Sequence, residues 1–189
     1  KLSQAALGDA HPETLKVSQA LAGLYQSQAK FDQATRVYQA AAKAAVAGLG
    51  AEHPQTLALQ LAVVRSQINA GRPKDAGALL DATCVASRKV YGEAHGEFSR
   101  CLAQHGALKR QHGEYNTAAR LYDQALAIQK LALAPTDPLG LATRVDAGAV
   151  YHRQGRLAEA QEVLEGAVRD AGAANDIAAQ LSAKGDLAD

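Results

Sequence analysis

The stretch LGDAHPETL, Leu7 to Leu15, decides the fold because it returns. LGAEHPQTL begins 42 residues later at Leu49, and two further steps of 42 reach YGEAHGEFS from Tyr91 and LAPTDPLGL from Leu133. Gly96 replaces the proline in the third copy, and Asp137 the histidine in the fourth. A fixed period of about 20–50 residues is the mark of stacked supersecondary units. The same register lines up Ala29 with Gly71, Gly113 and Gly155, and Ala34 with Ala76, Ala118 and Ala160. A third column holds Tyr38, Leu80, Tyr122 and Leu164.

Between the repeated phrase and the glycine column, TLKVSQALAGLYQSQ carries Val17, Leu21, Leu24 and Tyr25 at helical spacing, which predicts an amphipathic helix. After the column, FDQATRVYQAAAKAAV predicts a second, with Phe31, Ala34, Val37, Tyr38 and Ala41 on one side. Proline suits the first helical turn, where its missing N–H has no intrahelical partner, and an acid such as Glu13 suits the positive end of the helix dipole. Glycine past the first helix allows the left-handed backbone that ends it. Each unit therefore reads as helix, tight turn, helix, longer loop. Small Ala22, Gly106 and Gly148 in the first helices let the second helices come close, with Tyr25, Tyr38, Tyr122 and Tyr151 filling the space beside them.

A two-helix unit with small residues at those points resembles the tetratricopeptide repeat, and the 42-residue period with LGxxHPxT resembles its kinesin-light-chain form. The resemblance covers nearly the whole chain and implies an all-α, right-handed superhelical solenoid. Hydrophobic residues at 48% with aromatics at 4% fit an alanine-rich helical stack. The expected organisation is one array over 189 residues: 1–6 as the end of a preceding repeat, then repeats at 7–48, 49–90, 91–132 and 133–174. Residues 175–189 read as the start of a further repeat or a capping helix, so the chain is expected to be part of a larger protein. Repeat two departs from the pattern, with Val63, Val64 and Gln67 at positions where the others carry other residues.

Functional classes narrow quickly. His11, His53 and His95 look like a metal set, but successive copies stand roughly 20 Å apart at about 10 Å per packed helix, whereas zinc ligands lie within about 2 Å of one ion. Their expected role is at the helix start. His105 and His112 lack the spacing and acid of a metalloprotease helix. No phosphate-binding glycine loop, dinucleotide fingerprint or nucleophile elbow occurs, so no enzyme and no cofactor are expected. Twenty Lys plus Arg against 19 Asp plus Glu, a formal charge of +1, gives no broad field for nucleic acid. No apolar run of about 18 residues or more predicts a membrane span. Cys84 and Cys101 are expected to be free, buried thiols of a reducing compartment, and the cytoplasm is the expected setting.

What remains is a surface. The resemblance implies that first helices line a concave face, and the columns their cores leave over give Lys16, Gln19, Gln26, Leu61, Arg65, Ile68, Asn69, Arg100, Gln104, Arg110, Gln111, Val145, Asp146, His152 and Arg153 as a peptide-binding groove. Asp146 is the one acid counted near these columns, so the groove is expected to be basic, with Leu61, Ile68 and Val145 as apolar contacts. Arginine forks match carboxylates bidentately, which suggests a peptide or protein partner with acidic and aliphatic residues. Kinesin-light-chain repeats present paired asparagines; here Gln19 and Ala20, Leu61 and Ala62, Ala103 and Gln104, and Val145 and Asp146 stand there instead. Three roles stay open: an interaction scaffold, a regulatory sensor that switches an attached effector, and an architectural module that self-associates, with the oligomeric state undetermined.

Overall fold

A computed structural model describes residues 8–173; the expectations for residues 1–6 and 175–189 fall outside that range. The described residues form eight helices in chain order: α1 (Pro12–Ser27), α2 (Phe31–Leu49), α3 (Pro54–Asn69), α4 (Pro73–Tyr91), α5 (Gly96–Gln111), α6 (Tyr115–Ala132), α7 (Pro138–Arg153) and α8 (Leu157–Ala173). The 42-residue period is kept to the residue. First helices begin at Pro12, Pro54, Gly96 and Pro138, and each is 16 residues long.

The repeated phrase works as a helix cap. Nδ1 of His11, His53 and His95 accepts the backbone N–H of Glu13, Gln55 and Glu97 at 3.3, 3.2 and 3.1 Å. Asp137 does the same through its carboxylate, accepting from Leu139 N–H at 2.9 Å. One otherwise orphaned donor is thereby satisfied at each start. At the far end Gly71, Gly113 and Gly155 take φ of 71°, 75° and 74°, and Ala29, in the same column, accepts 55°. Left-handed backbone costs alanine more than glycine, so the first copy carries strain that the other three avoid.

The chain divides into two compact units, one ending at Val90 and the other beginning at Tyr91. In the first, α1 packs on α2 and α2 on α3. Its core joins Leu15 and Ala22 of α1, Ala34, Tyr38 and Ala41 of α2, and Leu59 and Val63 of α3. A buried polar link crosses the core: Thr35 Oγ1 donates to Ser66 Oγ at 2.8 Å, and Ser66 donates to the Phe31 carbonyl at 3.1 Å. Two side-chain contacts tie α4 to the third helix and its loop, Thr83 with Gln60 at 3.3 Å and Lys89 with Glu52 at 2.5 Å.

In the second unit α5, α6, α7 and α8 each pack on the next. The small-residue column is where the helices touch. A Cβ on Gly106 would lie 2.9 Å from Cζ of Tyr122, and one on Gly148 would lie 2.6 Å from Cγ of Leu164. Tyr122 and Leu164 are fully buried, so the closeness reflects filled space rather than a loose pair.

Two expectations change. Val17, Leu21 and Leu24, expected on the packing face of α1, are exposed, whereas Thr14, Leu15 and Ala22 are buried; α1 is apolar on two sides, and α2 covers only one. Helix α3 buries nine residues around its circumference, six of them apolar. Cys84 and Cys101 are buried as expected, but neither is a free thiol, both being disulfide-bonded. Pairing depends on distance in space, which spacing along a sequence does not report.

Candidate peptide-binding faces

Each unit carries part of the predicted site on its first helices. In the first unit Lys16, Arg65 and Asn69 are exposed and Gln19 and Gln26 half-buried. Gln26 on α1 and Arg65 on α3 meet: Gln26 Oε1 accepts from Arg65 Nη2 and from the Tyr38 hydroxyl, both at 3.4 Å. Lys16 Nζ lies 2.8 Å from Glu13. That bond holds the Glu13 carboxyl below its usual range. Leu61 and Ile68 depart from expectation. At 2% and 3% exposure they belong to the buried circumference of α3 and offer nothing to a ligand.

In the second unit Arg100 forks onto the Glu97 carboxylate through Nε and Nη2 at 3.1 and 3.2 Å. Arg110 on α5 reaches Asp146 on α7 at 3.2 Å. Beneath that pair the Tyr122 hydroxyl is held far above its usual range, chiefly by burial and further by Asp146, with Arg110 opposing. Gln104 and Val145 are half-buried, and Gln111, His152 and Arg153 are exposed. Val145 is therefore the one apolar residue of the three expected that keeps any exposure.

The basic character expected of this surface is reduced. Glu13 and Glu97 sit three residues before Lys16 and Arg100 and pair with them along the helix; that spacing was readable in the sequence. Pairs this exposed contribute little to stability, so their significance lies in the field they cancel. Among the described residues no group of three His, Cys, Asp or Glu side chains is placed to hold a metal ion, and no helix is long and apolar enough to cross a membrane.

Tetratricopeptide-repeat family models match residues 14–55 and 98–171, together more than half of the chain. No curated protein matches the sequence. Among solved structures, the fold is similar to BtubC (BKLC) from P. vanneervenii at 20% identity and TM-score 0.66, covering 86% of this chain. The chain spans 65% of that protein's length. It is also similar to the nearly identical TPR-like repeats of a Podosopora anserina putative kinesin light chain, at 24% identity and TM-score 0.69, covering 94% of this chain and 85% of that one. A variant form of the same repeats matches at 25% identity with the same TM-score and coverage. The chain belongs to the tetratricopeptide repeat family in its kinesin-light-chain-like form, an all-α helical repeat solenoid of a type that generally serves protein–protein interaction without catalysis.

Proposed function

We propose that the chain is an interaction scaffold that binds a peptide segment or partner domain through the exposed faces of its first helices, with no catalytic role. The observation that carries this reading is the set of polar side chains on those faces that helix packing does not consume: Gln19, Asn69, Gln104, His152 and Arg153 are all exposed or half-buried. Such groups suit hydrogen bonding to an extended backbone. An acidic ligand must exchange with carboxylates already on Lys16, Arg100 and Arg110, so amide recognition outweighs charge in this proposal, with one array over the repeats as its frame.

A peptide array, read at low and moderate salt against the chain and against a variant with Gln19, Asn69, Gln104 and Arg153 changed to Ala, tests it. Binding that the variant loses supports the proposal. Equal binding by the variant, or none by either, removes it. A cytoplasmic setting belongs to the same proposal, and the bonded cysteines oppose it, since disulfides persist in oxidising compartments. Thiol counting on freshly quenched, denatured chain tests it: two reactive thiols support the cytoplasm, and none counts against it.

A further inference from the structure

The second helices of the second unit also leave a surface unused. A groove of about 520 Å³ runs between α6 and α8, floored by α7 and closed at one end by the loop from Leu133 to Pro135. Leu126, Leu133 and Val163 give it an apolar stripe. Gln129, only 4% exposed, stands at its edge. The orientation of its amide is determined by its neighbours: the Thr143 hydroxyl donates to the Leu139 carbonyl at 2.8 Å and so accepts from Gln129 Nε2 at 3.0 Å. Oε1 is then the remaining group, buried and without a hydrogen-bond partner. Leaving a buried acceptor unmet is unfavourable, and a ligand N–H would satisfy it.

Charge is sorted along the same groove. Glu162 stands in the N-terminal half of α8 beside Glu159, whose carboxylate Arg156 already holds at 2.8 and 2.6 Å, while Lys130 and Arg169 stand toward the C-terminal ends of α6 and α8. Arg144 and Arg169 share Asp170, at 2.7 and 3.8 Å, which leaves this end, with Lys130, in cationic excess. We propose that this groove binds an extended peptide segment: aliphatic at its centre, with an acidic side chain toward Lys130 and Arg169 and a basic one toward Glu162, and with one backbone N–H donating to Gln129 Oε1. The site has α7 as its floor but uses none of the first-helix residues proposed above.

Gly166 supplies the test. A Cβ there would meet only the tips of Arg144 and Arg169, at 3.7 Å, so a leucine enters the groove while improving helix propensity. Two blocked peptides, acetyl-Lys-Leu-Val-Glu-amide and acetyl-Glu-Leu-Val-Lys-amide, cover both chain directions. They are titrated into the ¹⁵N-labelled chain, with the Lys-Leu-Val-Lys and Glu-Leu-Val-Glu versions as controls. The expected result is saturable shifts in α6, α8 and the loop between Leu133 and Pro135 for at least one mixed-charge peptide, with each control at least fivefold weaker. Gly166→Leu weakens binding at least tenfold while its Tm does not fall, and Gln129→Leu weakens it about fivefold. Absence of saturable shifts there, equal binding by the controls, or unchanged binding by Gly166→Leu overturns the inference. Shifts on α5 and α7 that survive Gly166→Leu overturn it as well, and leave the first-helix reading standing.

Discussion

Gly148→Ala isolates the contact on which the repeat depends. The added methyl carbon would lie 2.6 Å from Leu164 Cγ and 2.7 Å from Cδ2, against about 3.5–4.0 Å for carbons in favourable contact. Leu164 is 1% exposed and packed with Val163, Ala167 and Val145, so it has no free direction in which to yield. Two effects compete. Alanine is the better helix former by about 0.8–1 kcal/mol, while forcing a methyl into a filled core costs about 1–3 kcal/mol. With Leu164 enclosed, the second effect wins, and a net loss of up to about 2 kcal/mol is expected, or a fall in Tm of up to about 8 °C for a chain of this size. Urea melts of the single and double variants are the assay. Leu164→Ala alone should cost about 2–5 kcal/mol. In the double variant the new methyl enters the space leucine vacated, so the loss should fall short of the sum by at least about 1 kcal/mol. A Gly148→Ala protein as stable as its parent, with additive double-variant behaviour, would refute the close approach of α7 and α8. Gly166→Ala, whose methyl meets nothing closer than 3.7 Å, is the matched control and should gain up to about 1 kcal/mol.

Two other outcomes follow from the caps and the buried phenols. His53→Ala removes the acceptor from Gln55 N–H and should cost about 0.5–2 kcal/mol in a denaturation experiment, whereas His53→Asp should hold stability, because Asp137 already makes that bond in the fourth copy; equal losses for both would exclude capping as the role of the phrase. Burial raises Tyr122 and Tyr151 above the ordinary phenol range, and the bond from Tyr151 to Asp123 adds to the second. Their folded pKa values exceed the unfolded value of about 10, so the stability they contribute is complete below about pH 10 and is lost as pH rises beyond it. Phenolate absorbance should show two of the six tyrosines ionising only with unfolding, and early titration of all six would contradict their burial.

Much of this protein was legible before any coordinates because its information is local. Helix starts at Pro12, Pro54, Gly96 and Pro138, stops near Gly71, Gly113 and Gly155, and the touch points at Gly106 and Gly148 each depend on residues within one repeat. Recurrence at 42 residues multiplied a weak local signal into a strong one. The candidate surface was less legible, and for two different reasons. The pairing of Lys16 with Glu13 and Arg100 with Glu97 lay within one helical turn and was open to a reading at i,i+3 spacing. The burial of Leu61 and Ile68, the exposure of Val17, Leu21 and Leu24, and the state of the cysteines were not. Periodicity identifies an apolar side of a helix but not whether a neighbour covers it, and in α1 two apolar sides compete for one partner. The groove at Gln129 had no sequence signal at all, since an unmet acceptor becomes visible only when Thr143 takes the other end of its amide. Short-range chemistry thus settled the helices and their caps, while burial, pairing and polar satisfaction, which depend on groups distant in the chain, were decided by how those helices pack.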